Sequence, residues 1–209
     1  MFTDAQLAAA LGCPWSRAAA WGPHLRQCMQ RDGINTRNRA VHFIAEVGHE
    51  SASLAKLEEN LNYSANRLLE VFPLYFDAHS AAAHARNPKA IALRVYGARM
   101  GNRAGSDDGW DYRGRSPIGL TGRDNYAEMQ RLTGLPLLAS PQIATGIAEG
   151  AAISTAWWRA NGLNALADQD DVLAVARRIN LGTTRTRRMP NGYSDRVART
   201  KRARLGLGA

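Results

Sequence analysis

Glu50 and Glu59 stand nine residues apart in the segment His49-Glu50-Ser51-Ala52-Ser53-Leu54-Ala55-Lys56-Leu57-Glu58-Glu59-Asn60-Leu61-Asn62-Tyr63. Two carboxyl groups flanking a bond are the usual machinery for cutting a glycosidic link. One gives a proton to the leaving oxygen and the other activates water. On one unbroken helix this spacing would put them on opposite faces, roughly 13 Å apart along the axis. They converge only if the chain turns between them, and Ser51-Ala52-Ser53 is where the turn is expected. Glu50 follows Val41, Ile44 and Val47 along an apolar helix. A carboxyl at the end of such a helix is partly desolvated, which raises its pKa and suits a general acid. Read alone, it is equally a helix-terminal surface glutamate. Leu57, Glu59, Leu61 and Tyr63 alternate with Glu58, Asn60 and Asn62, the period of a strand. Glu58 is therefore expected to face away from Glu59 as an exposed charge.

His42, Glu46, His49 and Glu50 raise the question of a metal. The His-Glu-x-x-His zinc pattern would need histidine at position 53, where Ser53 stands. No metal or cofactor is expected, and His49 is read as a packing or hydrogen-bonding support for Glu50. Cys13 and Cys28 are the only cysteines. They are too few for a disulfide framework and are read as reduced thiols. Nothing near either reads as the base that a catalytic thiol requires.

Three ordered blocks carry a family resemblance. The first is His49-Glu50-Ser51 with Leu57-Glu58-Glu59-Asn60-Leu61-Asn62-Tyr63-Ser64. The second runs from Tyr96-Gly97-Ala98-Arg99-Met100-Gly101-Asn102 through Gly109-Trp110-Asp111-Tyr112-Arg113-Gly114-Arg115 to Asn125-Tyr126. The third is Arg178-Ile179-Asn180-Leu181-Gly182, followed by Asp195-Arg196-Val197. Together they resemble the glycoside hydrolase family 19 enzymes, chitinases and related phage endolysins, from about residue 35 to the C-terminus.

The resemblance implies Glu50 as proton donor and Glu59 as the base that activates water. It implies Thr121 as the hydroxyl holding that water, although a helix N-cap is the alternative reading of the same residue. Asn125 and Asn180 match sugar-binding amides, and Arg196 matches an arginine near the acid and base, where a cation favours ionised carboxylates. It also implies inversion at the anomeric carbon, which needs room for a water between the carboxyls. Trp110 and Tyr112, in a polar loop, are expected to line the sugar cleft; Trp157 and Trp158 are expected in the core. The chain departs from the family in three places: Ala52 and Ser53 replace a glycine pair, Gly119 replaces a glutamine, and Leu181 replaces a glycine.

The elements that must position these residues are mostly helical. Apolar periodicity and capping residues predict helices over 4–11, 16–31, 37–50, 65–72, 88–96, 124–132, 142–160, 172–179 and 194–205. The stretch 142–160 is expected to be the longest and a buried central helix. Residues 97–117, rich in Gly, Asp and Arg, read as a long ordered loop of the kind that is usually functional. No repeat or composition break interrupts the chain, so one catalytic domain over 1–209 is expected. The fold class is mainly α. The resemblance makes it lysozyme-like, with a small β-hairpin beside the cleft.

The chain has 209 residues and a formal net charge of +9. It has no run of 18 apolar residues and no basic-then-apolar start, so neither a membrane span nor a secretory signal is expected. A basic surface favours polyanionic partners, nucleic acid or an anionic bacterial envelope. The basic C-terminal region, Arg185, Arg187, Arg188, Arg196, Arg199, Lys201, Arg202 and Arg204, is expected to serve such attraction. The resemblance implies a peptidoglycan-degrading endolysin cleaving β-1,4 bonds between N-acetylated amino sugars. Such a protein would be a monomer held in the bacterial cytoplasm until a holin releases it to the wall. A bacterial chitinase is the alternative enzyme, and a catalytically silent binder of wall glycan or nucleic acid the alternative outside enzymes.

Overall fold

The structure is a computed structural model and describes residues 2–208. Its helices are α1 (Asp4–Leu11), α2 (Trp15–Arg31), α3 (Arg37–Glu50), α4 (Ala65–Val71), α5 (Ala78–His84), α6 (Pro88–Tyr96), α7 (Asp108–Asp111), α8 (Arg123–Thr133), α9 (Ile147–Ala160), α10 (Leu163–Asp168), α11 (Val172–Leu181) and α12 (Tyr193–Gly206), with a 3-10 turn at Pro141–Thr145. The chain forms two compact units. The first comprises Met1–Leu57, Ser116–Ile118 and Ala144–Ala209; the second comprises Glu58–Arg115 and Gly119–Ile143. Among the described residues no helix is long and apolar enough to cross a membrane.

Side-chain caps set half of the helix starts. Side chains of Thr3, Thr36, Ser64, Asn87 and Asp171 each accept from the backbone N–H three residues on, satisfying a donor that the helix leaves open. Thr3 and Gln6 complete a reciprocal box. In the first unit, α3 is the centre. Residues Val41 to Gly48 are buried without interruption, which makes it a helix covered on all sides. Phe43 meets Trp158 of α9 edge-on, with ring centres 5.4 Å apart. Trp158 is buried as expected, and Trp157 packs at the edge of the same core. The second unit has its own core of Leu61, Leu68, Phe76, Ala81, Ile91, Ala92 and Val95.

Two sequence expectations are corrected. No strand forms among the described residues. Glu58 bridges Arg115, and Arg115 bridges Leu120, each as a single antiparallel pair. Beyond Glu59 the backbone finds local partners instead of a ladder. Asn62 N–H donates to the Asn60 side chain, and Tyr63 N–H donates to the Leu61 carbonyl. The expected hairpin is therefore a pair of bridges. The stretch 142–160 is not one helix either. Gly146 is extended (φ −65°, ψ 151°) and starts α9 behind the 3-10 turn, leaving the 17-residue α2 as the longest. Helices α5, α7 and α10 are additional. That of α5 is signalled by Asp77, which exchanges bonds with Ser80 in a capping box.

Candidate active site

In the second unit the site is built around Glu59. Its backbone N–H donates to the Gly114 carbonyl at 2.8 Å, which fixes the residue against the returning loop. The Tyr96 hydroxyl, at the end of α6, donates to Glu59 Oε1 at 2.7 Å, and the Gly114 N–H donates to Oε2 at 3.4 Å. Burial pushes the Glu59 carboxyl above its ordinary pKa. The Tyr96 and Gly114 hydrogen bonds and the charge of Arg113 pull in the opposite direction. A half-buried carboxylate so held is a base whose strength is raised by desolvation.

Thr121 stands on the other side of Gly114. A Cβ placed on Gly114 would lie 3.3 Å from Thr121 Oγ1 and 3.4 Å from Glu59 Oε2. Glu59 Cβ would lie 3.3 Å away as well, so a side chain at 114 would crowd the point on which both oxygens converge. The Thr121 hydroxyl donates to the Gly119 carbonyl at 2.8 Å, which turns its lone pairs toward other donors. Asn125 Nδ2 donates to the Thr121 carbonyl at 2.7 Å. Asn125 therefore positions Thr121 through its amide N–H and keeps its Oδ1 as the acceptor it can offer a sugar. Gly119, where the family usually carries glutamine, has φ +66°, a conformation that side chains rarely adopt.

The loop that carries Gly114 is pinned by charge. Asp108 accepts from the Arg103 backbone N–H and from two Arg103 side-chain nitrogens, each at 2.9 Å, and its pKa is lowered to about 2, chiefly by the Arg103 hydrogen bonds. Asn102 joins α6 to α8 by donating to the Tyr96 carbonyl and accepting from Arg123 N–H. Glu58 is not a bare surface charge, for it pairs with both Arg113 and Arg115. Arg113 also lies over the Trp110 ring, 3.6 Å from its centre. One face of Trp110 is thereby taken, which leaves at most one for a sugar. Tyr112 is corrected from cleft to core. It is 6% exposed, stacks on Tyr126, and its hydroxyl donates to the Leu138 carbonyl.

In the first unit the site is built around Glu50, the last residue of α3. Arg196 Nη2 donates to Glu50 Oε1 at 2.6 Å, and Arg196 Nη1 donates to Glu46 Oε2. Arg196 is 1% exposed and holds both carboxylates from inside the unit, beside Glu50 as the resemblance implied. Its Nε donates to the Asn191 carbonyl, and Asn191 N–H donates to Asn180 Oδ1 at 2.8 Å. Asn180 and Arg196 thus anchor the same loop residue, and Asn180 retains its Nδ2 as the group it can offer a ligand. His49 Nδ1 pairs with Asp195 at 2.6 Å, and its ring sits against Gly192.

The chain turns after Glu50, as expected, by an uncommon route. Ala52, Ser53 and Leu54 have φ of 49°, 59° and 64°. Ser51 Oγ donates to the Val47 carbonyl and accepts from Leu54 N–H, while Ser53 Oγ donates to the Leu11 carbonyl. These bonds hold three non-glycine residues in left-handed conformation, and at two of them, Ala52 and Ser53, the family usually has glycines. His42, one of the four residues that raised the question of a metal, is buried against Asp170 with Nε2 2.7 Å from Oδ1, and its pKa is lowered, chiefly by burial. Sequence reasoning gave Tyr96 and Gly114 no site role, though both lie in the second motif block, and weighed Glu46 only as a metal ligand.

The chain is 36% identical over 157 residues to a glycosyl hydrolase family 19 domain-containing protein of Haemophilus influenzae (strain ATCC 51907 / DSM 11121 / KW20 / Rd), covering 74% of this chain and 76% of the relative. Its fold resembles the crystal structure of chitinase C from Streptomyces griseus HUT6037, with a TM-score of 0.61 at 21% identity. That likeness covers 100% of this chain and 77% of the chitinase chain. No family-level sequence profile matches the chain.

Proposed function

The chain belongs to glycosyl hydrolase family 19, and from that premise we propose that it hydrolyses β-1,4 bonds between N-acetylated amino sugars of bacterial peptidoglycan. Membership makes it a glycosidase. The observation that carries the mechanism is that Glu59 Oε2 and Thr121 Oγ1 converge on one point beside Gly114. A water there donates one proton toward Glu59 and the other to the Thr121 hydroxyl oxygen, which leaves its lone pairs for the anomeric carbon. As the water attacks the anomeric carbon, Glu59 takes its proton, and Glu50 gives a proton to the leaving sugar oxygen. Water rather than a carboxylate is the nucleophile, so the product inverts. Asn125 and Asn180 supply amide groups to hydroxyl or acetamido groups of the sugar, and the exposed part of the Trp110 ring supplies apolar contact.

Peptidoglycan as substrate is supported by charge. Arg196, Arg199 and Arg204 are engaged with Glu46, Glu50, Asp195 and Asp170, but Arg185, Arg187, Arg188, Lys201 and Arg202 are exposed. An exposed cationic surface suits the anionic wall, where steering falls with ionic strength. On this reading the protein is a wall-lysing endolysin of a phage or prophage. Chitin is the second reading, favoured by the fold shared with the Streptomyces griseus chitinase.

Turbidity loss of outer-membrane-stripped bacteria, run beside a chitin-release assay, separates the two substrates. Lysis with little chitin release supports the wall reading; the reverse supports chitin; neither activity removes both. Proton NMR of the first-formed product tests the chemistry. Fresh α-anomer from the β-linked glycan is expected, and fresh β-anomer would mean retention and end the water-based mechanism. Wall binding should weaken with salt far more than turnover of a short soluble glycan.

A further inference from the structure

Asn180 and Asn191 close a loop between α11 and α12. The Asn191 N–H donates to Asn180 Oδ1 at 2.8 Å, which ties the last turn of α11 to the residues just before α12. The Asn191 carbonyl accepts from Arg196 Nε at 3.1 Å, and Arg196 in turn holds Glu50. The mouth of the loop is therefore fixed both to the amide assigned to the sugar and to the support of the acid.

Charge in the loop is of one sign. No acidic residue stands between Asp171 and Asp195, and the loop carries Arg185, Arg187 and Arg188. All three are exposed. Among the described residues none of their guanidinium groups has a hydrogen bond, ion pair or ring contact. The neighbouring arginines are all engaged. Arg177 Nε donates to the Arg188 carbonyl at 3.2 Å, and Arg178 Nη1 donates to the Gly182 carbonyl at 3.3 Å. Arg196, Arg199 and Arg204 are paired with carboxylates. Pro190 is buried, and Thr183 and Thr186 accept from the backbone N–H groups of Arg185 and Arg188. The loop is thus secured through its backbone, while its three cations repel one another and stay uncompensated until an anion arrives.

We propose that Arg185, Arg187 and Arg188 are specificity-determining residues that bind carboxylate groups carried by the wall glycan, beside the sugar held at Asn180. The proposal rests on reading Asn180 as a sugar-binding amide and peptidoglycan as the substrate. Alternate sugars of a peptidoglycan strand bear a lactyl ether, which ends in a carboxylate or continues into a peptide with carboxylates of its own. Chitin bears neither. A guanidinium presents a planar fork that meets a carboxylate with two parallel N–H donors. The role differs from attraction of the whole surface. Attraction draws on summed charge, to which Lys201 and Arg202 of α12 contribute as well. A contact reads only the anion within reach.

The test is steady-state kinetics on a soluble wall fragment and on the same fragment with its carboxyl groups amidated. The proteins are wild type, the triple variant Arg185→Gln/Arg187→Gln/Arg188→Gln, and Lys201→Gln/Arg202→Gln. The triple variant should raise KM on the native fragment about tenfold with kcat held, since exposed charge pairs are individually weak and three are removed. Amidation should raise the wild-type KM by a similar factor, and the triple variant should lose nothing further on the amidated fragment. Lys201→Gln/Arg202→Gln should leave KM on the native fragment nearly unmoved. The amidation arm needs no variant to fold, and a wild-type KM indifferent to it would overturn the proposal. So would a triple variant equally impaired on both fragments, or an equal effect from Lys201→Gln/Arg202→Gln. Fragments stripped of peptide distinguish the source: loop dependence retained there assigns the lactyl carboxylate, and dependence restored only with peptide assigns the peptide. Loss of binding to DNA or to anionic vesicles with the fragment KM unmoved would give the loop to another polyanion and overturn the proposal. Wild-type protein inert on every wall fragment would remove the wall reading and this proposal together, whereas an active protein whose KM ignores the loop removes the proposal alone.

Discussion

Tyr96 donates its hydroxyl to Glu59 Oε1 at 2.7 Å across 37 residues of sequence, and this bond stabilises the ionised form of a carboxylate that burial otherwise destabilises. Tyr96→Phe removes the donor and leaves the ring in place. With burial less opposed, the Glu59 pKa rises further. A base must be ionised to act, so the acid limb of kcat/KM should move to higher pH while the alkaline limb stays. The measurement is a pH–rate profile on a soluble glycan; a displaced alkaline limb instead would mean that Glu59 is not the group that must lose its proton.

Gly114→Ala tests the space for water directly. The backbone of Gly114 is not left-handed, so alanine meets no conformational barrier there. Its methyl, however, would sit 3.3 Å from Thr121 Oγ1 and 3.4 Å from Glu59 Oε2. A misplaced nucleophile costs about 10²-fold when reacting geometry shifts by an ångström. The expected result is a fall in kcat of about that size with little change in KM. A large rise in KM at unchanged kcat would show instead that the space holds sugar.

Glu50→Gln and Glu59→Gln keep shape and lose the ionisable group. Each should remain folded by circular dichroism and lose about 10²–10⁴ in rate. Thr121→Val removes only the hydroxyl that holds the water, so its loss should be smaller than either. Near wild-type turnover in a folded Gln variant would strike that residue from the mechanism.

What was legible in the chain was local. Ser64 and Asn87 announced their helices, as did the pairs Asn35 or Thr36 and Asp170 or Asp171, of which the structure uses Thr36 and Asp171, because a capping side chain reaches only three residues ahead. The carboxylates Glu50 and Glu59 were visible through their motif. Partners supplied from far along the chain were not: Glu46 meets Arg196 across 150 residues, and nothing in the composition around Glu46 marks it as buried with a cation. Tyr112 misled because an aromatic ring in a polar loop reads as an exposed platform, yet it folds onto Tyr126. The alternation from Leu57 to Tyr63 misled because period two records which side chains are buried, not whether a neighbouring strand is present to accept hydrogen bonds.

The turn after Glu50 gives a prediction in which two adjacent residues with similar backbone angles respond with opposite sign. Ala52 and Ser53 both sit left-handed, at φ of 49° and 59°. The side-chain clash of that conformation costs roughly 1–2 kcal/mol, and glycine is free of it but gives back roughly 0.5–1 kcal/mol through a looser unfolded chain. Ala52 is exposed, so Ala52→Gly should raise unfolding free energy by about 0.5–1 kcal/mol. Ser53 is 8% exposed, and its hydroxyl donates to the Leu11 carbonyl while accepting from Arg199. Ser53→Gly gains the same conformational relief but strips a buried carbonyl of its donor, a loss of about 1–3 kcal/mol. Urea denaturation should therefore show Ala52→Gly stabilised and Ser53→Gly destabilised. If both glycine variants were stabilised, the serine bonds would not be what holds the turn, and the placement of Glu50 at its start would rest on the Ser51 bonds alone.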